Sequence, residues 1–302
     1  MNKIFIVPYG GLGNQLFQCV AALALGNSSK VIVLSDWGFA RKNEYGQNEI
    51  ESFDWTNIID FSSHPKVIGF VRRSLNLLLR LGVEGNERVL RTLEILLSPF
   101  FSIVLKERVS VRVNRGIGFS EMHFRGSCLL IGYFQCTDYL NLVRNQVESI
   151  YPRTISDKGN SLLDSIRSKR TIVIHVRRGD YIGEKFGNLG DDYYLQAISQ
   201  TNQDSYDETW IFSDDIEHVR NMKFPKQLRN PKFIDDKDLK SSEILEIMRN
   251  GNSYIIANSS FSWWAAELRY DREAKVICPV PWFREIPSPE HIIESDWHGI
   301  SW

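Results

Sequence analysis

The sequence lacks the features that define several large classes of protein. Its four cysteines include no Cys-x-x-Cys pair and no Cys/His cluster, so neither a zinc site nor a disulfide framework is expected. The charge-free hydrophobic stretch ILLSPFFSIVL at residues 95–105 falls short of the ~20 residues that span a bilayer. The apolar run after Met1 stops at Pro8, too early for a signal-peptide core. These absences predict a cytoplasmic protein with reduced thiols and no transmembrane helix.

An excess of charge of either sign is also absent. The 36 Lys and Arg are balanced by 37 Asp and Glu, which leaves a net charge of -1 at pH 7. Such a chain has no global field that would collect nucleic acid, so we expect no nucleic-acid partner and only local binding of an anionic ligand. Its 302 residues, 43 % apolar and 24 % charged, have the composition of a folded protein and the length of two domains.

The pattern of apolar runs predicts an α/β protein with two parallel sheets. A strand at residues 2–7, the loop PYGGLG, a helix that ends at Gly26 and a strand at 31–34 open the chain. The segment YPRTISDKG then separates two structured halves, and we place the domains at 1–165 and 166–302. In the second half, helical segments alternate with short apolar runs at 171–176, 209–213, 232–235, 253–257 and 275–279.

The middle of the chain is rich in basic residues. Between Lys66 and Arg115, ten Lys or Arg stand against four Glu in a leucine-rich setting, which predicts two basic amphipathic helices. Helices of this kind either face a core and expose a solvated side or contact an anionic membrane surface or a lipid-linked substrate. Both alternatives stay open for residues 66–115.

Arginines follow the first strand of the second half. The segment HVRRGDY places Arg177 and Arg178 at a strand end, where ligands of parallel sheets bind. The planar fork of arginine matches phosphate, and it stays charged when water is excluded. An ion-pair network with Asp180 and a neighbouring carboxylate would account for the two arginines equally well.

Three further segments lie where a strand meets a helix, and each has two interpretations. The loop PYGGLGNQ is either an anion-binding glycine loop or a tight turn. The segment ANSSFSWWAAEL suits a phosphate cradle, or its serines cap a helix while Trp263 and Trp264 lie in the core. In FSDD, Asp214 and Asp215 either cap the next helix or accept hydrogen bonds from a guanine.

One short pattern suggests a metal. Asp236, Lys237 and Asp238 form the Asp-x-Asp with which many sugar-nucleotide enzymes hold a divalent cation, although three-residue patterns also occur by chance. The lysine between the carboxylates, together with the arginine pair, favours another way of neutralising phosphate. We therefore expect no metal.

Taken together and in this order, GGLGNQLFQ, HVRRGDY, FSDD and SSFSWWAAEL resemble the bacterial α-1,2-fucosyltransferases of glycosyltransferase family 11. The resemblance runs from residue 10 to residue 268 and implies the GT-B architecture, two Rossmann-like domains facing across a cleft. It implies an acceptor-side domain at 1–165 and a donor domain at 166–302. The implied reaction is an inverting, metal-independent transfer of L-fucose from GDP-β-L-fucose to the 2-hydroxyl of a galactoside in a surface polysaccharide or O-antigen. A lipid-linked acceptor would place the enzyme at the inner membrane face.

The same resemblance implies a role for each motif. Arg177 and Arg178 would bind the pyrophosphate, Arg178 with a catalytic part. Two carboxylates follow the arginines: Glu184 is the candidate general base, and Asp180, at the end of the arginine motif, suits orientation better than proton abstraction. Asp191 and Asp192 are alternatives for the base, with capping as their default role. No cofactor is implied beyond the donor substrate GDP-fucose. The remaining donor-binding residues would be Gly11, Gly13, Asn14, Gln15, His175, Asp214, Asp215, Ser259, Ser260, Phe261 and Ser262. Transfer to another position, a metal-dependent GT-A transferase using Asp236 and Asp238, and a noncatalytic nucleotide- or carbohydrate-binding protein are the competing interpretations.

Overall fold

The structure, a computed structural model, forms two compact units. The N-terminal unit comprises Met1–Tyr151 and Pro289–Ile292, and the C-terminal unit comprises Pro152–Ser288 and Ile293–Trp302. The structure describes residues 2–26, 29–35, 49–55, 58–62, 69–84, 87–179, 185–235 and 237–302.

The N-terminal unit is built on a parallel sheet whose order is β3-β2-β1-β5-β4. Side chains on one face of this sheet, such as Phe5, Val111 and Leu129, pack in one cluster with α2 and α3. Helices α1 and α4 contact each other, and α1 also packs on β1 and β2. The elements are β1 (Lys3–Ile6), α1 (Leu12–Gly26), β2 (Lys30–Leu34), β3 (Ile59–Ser62), α2 (Gly69–Glu84), α3 (Glu87–Leu105), β4 (Val109–Val113), β5 (Ser127–Ile131) and α4 (Thr137–Val147).

Polar side chains of helix α3 accept hydrogen bonds from the backbone N–H groups at one edge of this sheet. Backbone N–H groups of the edge strand β4 donate to Ser102 Oγ at 3.0 Å, to Ser98 Oγ at 2.9 Å and to Glu94 Oε1 at 2.8 Å, from Val109, Val111 and Val113 respectively. The three acceptors are four residues apart and therefore share one face of the helix. This face of α3 is fixed against the sheet edge.

The C-terminal unit is built on a second parallel sheet, ordered β11-β10-β9-β6-β7-β8. Counted from β6, its first strand, this is the Rossmann order 3-2-1-4-5-6, in which ligands bind at the carboxyl ends of the strands where the order reverses, here between β6 and β9. The elements are α5 (Asp157–Arg167), β6 (Thr171–Val176), α6 (Asp191–Ser199), β7 (Glu208–Ser213), α7 (Ile216–Asn221), β8 (Pro231–Phe233), α8 (Ser241–Met248), β9 (Ser253–Ile255), α9 (Ser260–Glu267), β10 (Lys275–Val280) and β11 (His298–Ser301).

The predicted strands and helices of this half are present, and the prediction of two parallel α/β sheets is confirmed. Trp263 and Trp264 are fully buried, which confirms their interpretation as core. All four cysteines are free and buried, as expected. Among the described residues, no helix is long and apolar enough to cross a membrane.

The division between the units differs from the predicted one at residue 165. It falls between Tyr151 and Pro152, because the backbone N–H and hydroxyl of Ser156, at the start of α5, both donate to Glu243 of α8, at 2.7 and 2.6 Å. Helix α5 therefore belongs to the C-terminal unit. The chain also returns to the N-terminal unit at Pro289–Ile292, where the N–H of Thr137 donates to the carbonyl of His291, a return that the sequence does not suggest.

Candidate functional site

Two arginines and two aspartates meet at the carboxyl ends of β6 and β7. Arg177 Nη1 lies 3.1 Å from Asp214 Oδ2, and the backbone N–H of Arg178 donates to Asp214 Oδ1 at 3.0 Å. Arg178 Nε donates to Asp215 Oδ2 at 3.4 Å, while Asp215 Oδ1 caps α7 by accepting from the N–H of His218. Both arginines form ion pairs, but with Asp214 and Asp215; Asp180, the partner suggested by the sequence, lies outside the described residues. The capping interpretation of Asp215 is confirmed. These contacts hold the two guanidinium forks at the edge where a ligand of this sheet binds.

Gly179 allows this arrangement. A Cβ atom at this position would lie 2.4 Å from Asp214 Oδ2, closer than non-bonded atoms approach. Any side chain at residue 179 would therefore displace the carboxylate that orients Arg177. The glycine in HVRRGDY is explained by packing against Asp214 rather than by a turn.

His175 lies in β6 beneath the start of α9. Its side chain is buried, and its ring centroid is 5.9 Å from that of Phe261. Within the described parts of the chain, Nδ1 has no hydrogen-bond partner. Burial, with a smaller contribution from the positive charge of Arg177, lowers the pKa of His175 from 6.5 to about 3. The imidazole is therefore neutral at pH 7 and offers one donor and one acceptor, which suits a nucleobase better than a phosphate.

This pKa shift predicts acid sensitivity. Because the unfolded imidazole binds a proton below pH 6.5 and the buried one does not, the free energy of unfolding should fall by up to about 1.4 kcal/mol per pH unit between 6.5 and about 3. Above pH 6.5 both states are neutral, and this contribution is constant. Urea unfolding at several pH values should show a shallower acid slope for His175→Asn than for the wild-type protein. Equal slopes for His175→Asn and wild type would contradict the buried neutral histidine.

The serine turn after β9 is organised by Ser262. Its buried hydroxyl lies 3.3 Å from the carbonyl oxygens of Ala257 and Ser259, so it holds the turn from inside. Ser259 is the residue before α9, and Ser260 and Phe261 are partly exposed at the first turn of this helix. A helix N-terminus favours anions through its backbone N–H groups. In this turn the hydroxyl of Ser262 has a structural role, and the backbone is the part suited to a phosphate.

Three buried side chains that the sequence did not single out support the same edge. From the start of α6, Tyr193 donates to the carbonyl of Ile256 at 2.7 Å, and Tyr194 donates to the carbonyl of His175 at 3.1 Å. Asn258 Nδ2 donates at 3.1 Å to the carbonyl oxygens of Phe186 and Gly187. These bonds fix the strand ends on both sides of the order reversal. The segment ANSS indicated a polar side chain at residue 258, but only its serines were predicted to take part in the site.

The structure describes only some of the candidates for the general base. Asp180 and Glu184 lie outside the described residues. Just after them, the carbonyl oxygens of Lys185 and Phe186 accept from the backbone N–H groups of Glu285 and Arg284. The carboxylate of Asp191 accepts from the backbone N–H groups of Lys223 and Phe224 at 2.7 and 2.9 Å, which gives this alternative a structural role.

The glycine loop of the N-terminal unit lies where β1 meets α1, and its polar residues form hydrogen bonds within the loop and to neighbouring segments of the same unit. Gln15 donates to the carbonyl of Gly10 at 2.9 Å and accepts from the N–H of Ile50, and Asn14 accepts from Gln135 at 2.8 Å. Gly10 has a φ of +74°, a conformation that favours glycine. Gly13 is buried, whereas nothing lies within 4 Å of a Cβ built on Gly11. Asn14 and Gln15 thus shape the loop, and Gly11 leaves space beside it.

Two groups of side chains among the described residues and their neighbours are candidates for metal binding. Asp236 lies outside the described residues, and Asp238 is largely exposed, 3.5 Å from Lys158 Nζ. In the N-terminal unit, potential ligand atoms of Cys136, Asp138 and His291 lie within 4.8 Å of one another. Two hydrogen bonds account for this proximity without an ion. One joins Asp138 Oδ2 and His291 Nδ1 at 2.8 Å, and in the other the backbone N–H of Asp138 donates to Cys136 Sγ.

The sequence model described as Glycosyl transferase family 11 matches residues 98–301, more than half of the chain. The chain belongs to glycosyltransferase family 11. The match includes the HVRRGDY, FSDD and SSFSWWAAEL segments of this family 11 protein, and the predicted family is confirmed.

Curated relatives of this family 11 glycosyltransferase cover almost its full length. An alpha-1,2-colitosyltransferase of Escherichia coli is 28 % identical over 292 residues, which cover 91 % of this chain and 90 % of the relative. The O-antigen biosynthesis glycosyltransferase WbnK of Escherichia coli is 26 % identical over 91 % of this chain and 93 % of its own. The Escherichia coli ADP-heptose LPS heptosyltransferase II superposes with a TM-score of 0.51 at 9 % identity and covers 99 % of this chain and 90 % of its own. This likeness shows a shared fold, and the predicted GT-B class of two Rossmann-like domains is confirmed.

Proposed function

We propose that this glycosyltransferase transfers L-fucose from GDP-β-L-fucose to the 2-hydroxyl of a galactoside acceptor in a surface polysaccharide or O-antigen, with inversion and without a metal. The observation that carries the proposal is the pair Arg177 and Arg178, oriented by Asp214 and Asp215 at the order reversal of a Rossmann sheet. Family membership and the functions of the two bacterial relatives support it.

The donor's diphosphate is assigned to the end of β6. Both arginine side chains are less than one-fifth exposed, at 18 % and 19 %, so their charges are only partly screened by water. The first turn of α9, with Ser259, Ser260 and Phe261, adds backbone donors from the neighbouring strand end. We assign Ser262 to this turn as the residue that holds its shape.

The guanine is assigned to His175 and Asp215. The buried, neutral imidazole has an unpartnered Nδ1 in the described structure. Asp214 forms an ion pair with Arg177 and accepts a hydrogen bond from the backbone N–H of Arg178. The side chain of Asp215 is 39 % exposed and can accept further hydrogen bonds. Asp214 is therefore a positioning residue in this proposal, and Asp215 contacts the base.

The reaction follows from the movement of charge. The bond between the anomeric carbon and the β-phosphate oxygen breaks, and the leaving GDP takes the electron pair. The acceptor oxygen forms the new bond from the opposite face and loses its proton to a carboxylate, for which we propose Glu184, with Asp180 oriented by the arginines. Preorganised arginine donors stabilise the growing negative charge of GDP without a cation. The open space beside Gly11 is proposed to serve the acceptor.

A second donor is favoured by one relative. The colitosyltransferase is 28 % identical to this chain, and colitose is fucose without one ring hydroxyl. A site that hydrogen-bonds this hydroxyl rejects the deoxy sugar by several orders of magnitude, whereas an apolar site accepts both sugars. Donor choice therefore reports directly on the polarity of the pocket around the sugar.

The test is a product assay with purified enzyme, a galactoside acceptor and either GDP-fucose or GDP-colitose, followed by linkage analysis by NMR. Formation of an α-1,2-fucosyl product supports the proposal, and exclusive use of GDP-colitose moves the assignment to the second donor. Binding of GDP without any product from either donor would identify a noncatalytic nucleotide-binding protein.

Transfer should survive excess EDTA. Two arginines and the α9 N-terminus perform the charge stabilisation that a cation supplies in metal-dependent transferases. The initial rate with and without chelator measures this. A rate that collapses and returns with Mn²⁺ or Mg²⁺ would contradict the metal-independent mechanism and favour a role for Asp236 and Asp238.

A further inference from the structure

The exposed apolar side chains of the described residues are concentrated on two helices. Eleven large hydrophobic side chains are exposed, and six of them lie on α2 and α3. Ile103, Ile95 and Leu96 are the most prominent of the six, with 78 %, 72 % and 65 % of their surface open. We call the outer side of these helices the α2–α3 surface, defined by Leu77, Val83, Val89, Ile95, Leu96 and Ile103 together with the basic residues Arg73, Arg80, Arg88 and Arg91.

The orientation of α3 is fixed by hydrogen bonds. Glu94, Ser98 and Ser102 face the sheet and accept from the N–H groups of β4. An ordinary surface helix turns its apolar side inward and its polar side to water. In α3 the inner side carries this polar row beside the buried Leu90, Phe101 and Leu105, and further aliphatic side chains lie on the outer side. Rotating the helix to bury Ile95 or Ile103 would break all three bonds.

The two helices share one outer side. Val71, Leu75 and Leu78 of α2 and Leu90 and Phe101 of α3 pack in the same cluster against one face of the sheet. The outer sides of both helices therefore point away from this face. Exposed apolar groups gathered in this way mark an interaction surface, whereas isolated ones do not.

The charges of the α2–α3 surface favour a negatively charged partner. Arg73, Arg88 and Arg91 are exposed there, and the exposed acid of α3, Glu87, lies against Arg91 and Arg115 at 2.7 and 2.9 Å. A symmetric contact between two copies would bring these arginines against each other, and like charges in an interface are unfavourable. A bilayer with anionic headgroups offers both of the complementary properties, an apolar interior and a negative surface.

We propose that the α2–α3 surface docks onto an anionic lipid bilayer. The aliphatic side chains enter the boundary between headgroups and acyl chains, and the arginines lie against lipid phosphates. Docking in this manner would bring the enzyme to acceptors that are carried on a lipid. The proposal goes beyond the proposed function and does not depend on the identity of the donor sugar.

The test is flotation with vesicles of phosphatidylcholine alone or with about one quarter phosphatidylglycerol. Wild-type protein should float with the anionic vesicles only and should dissociate as salt is raised. The triple variant Ile95→Ser, Leu96→Ser, Ile103→Ser should lower the partition coefficient by about tenfold or more. The matched control is Leu142→Ser on α4, where the side chain is 71 % exposed but lies outside the surface.

Charge is tested separately with Arg73→Glu, Arg88→Glu, which should abolish flotation, against Lys226→Glu in the C-terminal unit, which should leave it unchanged. Unchanged thermal unfolding establishes that the variants are folded. Wild-type protein that does not float with anionic vesicles, or a control that loses as much as its matched variant, would overturn the proposal. A dimer in light scattering that the triple variant dissociates would assign the surface to a second copy instead.

Discussion

Arg178→Lys should lower the turnover of sugar transfer by about 100-fold or more, which corresponds to at least about 2.7 kcal/mol of transition-state stabilisation. The fold should remain intact, because the bond from residue 178 to Asp214 is made by the backbone N–H. The ammonium keeps the positive charge beside Asp215 but loses the planar fork that can bind the phosphate while Nε binds the carboxylate. The loss should therefore appear in turnover more than in thermal stability.

Initial rates at saturating donor, isothermal titration with GDP and thermal unfolding separate these effects. The matched control is Arg229→Lys, which alters an exposed arginine paired with Asp204 at 2.8 Å in the same unit. Exposed pairs of this kind contribute little, so its rate and stability should match wild type. Near-normal turnover of Arg178→Lys would remove the phosphate assignment of this residue.

Glu184→Gln should retain GDP-fucose binding and lose transfer by about 100-fold or more, because a general base contributes on that order and an amide cannot accept the acceptor's proton. Asp180→Asn should damage donor binding as well, since Asp180 follows Arg178 by two residues in the arginine motif and is proposed to help orient the donor rather than to take the proton. The pair thus separates proton transfer from donor positioning.

Donor affinity and transfer rate are measured for both variants. The control is Glu285→Gln. Glu285 is exposed, and its backbone N–H donates to the carbonyl of Lys185, the residue after Glu184. No chemical role is proposed for its carboxylate. It should behave as wild type. A fully active Glu184→Gln enzyme would exclude Glu184 as the base and return the assignment to Asp180 or Asp192.

Much of the C-terminal unit could be predicted because its signals are local. Each strand there is a short apolar run between polar loops, and the carboxyl ends of parallel strands meet at one edge whatever the side chains are. That rule alone brought Arg177, Asp214 and Ser259 to one edge. In the N-terminal unit β3, β4 and β5 were not predicted. Strand β4 lies in the basic middle region, where the helical pattern dominated the interpretation, and β3 and β5 lie on either side of this region.

The sequence by itself determined the alternation of strands and helices, the family motifs and the arrival of the two arginines at a strand end, since all of these depend on nearest neighbours and chain direction. Only the tertiary structure decided which groups meet across long separations: Arg178 with Asp215, Asn258 with Phe186, and His291 with Asp138. It also decided which way α3 faces. That helix has apolar residues on both sides, so its periodicity cannot choose a side, and the hydrogen bonds from the N–H groups of β4 to Glu94, Ser98 and Ser102 make the choice.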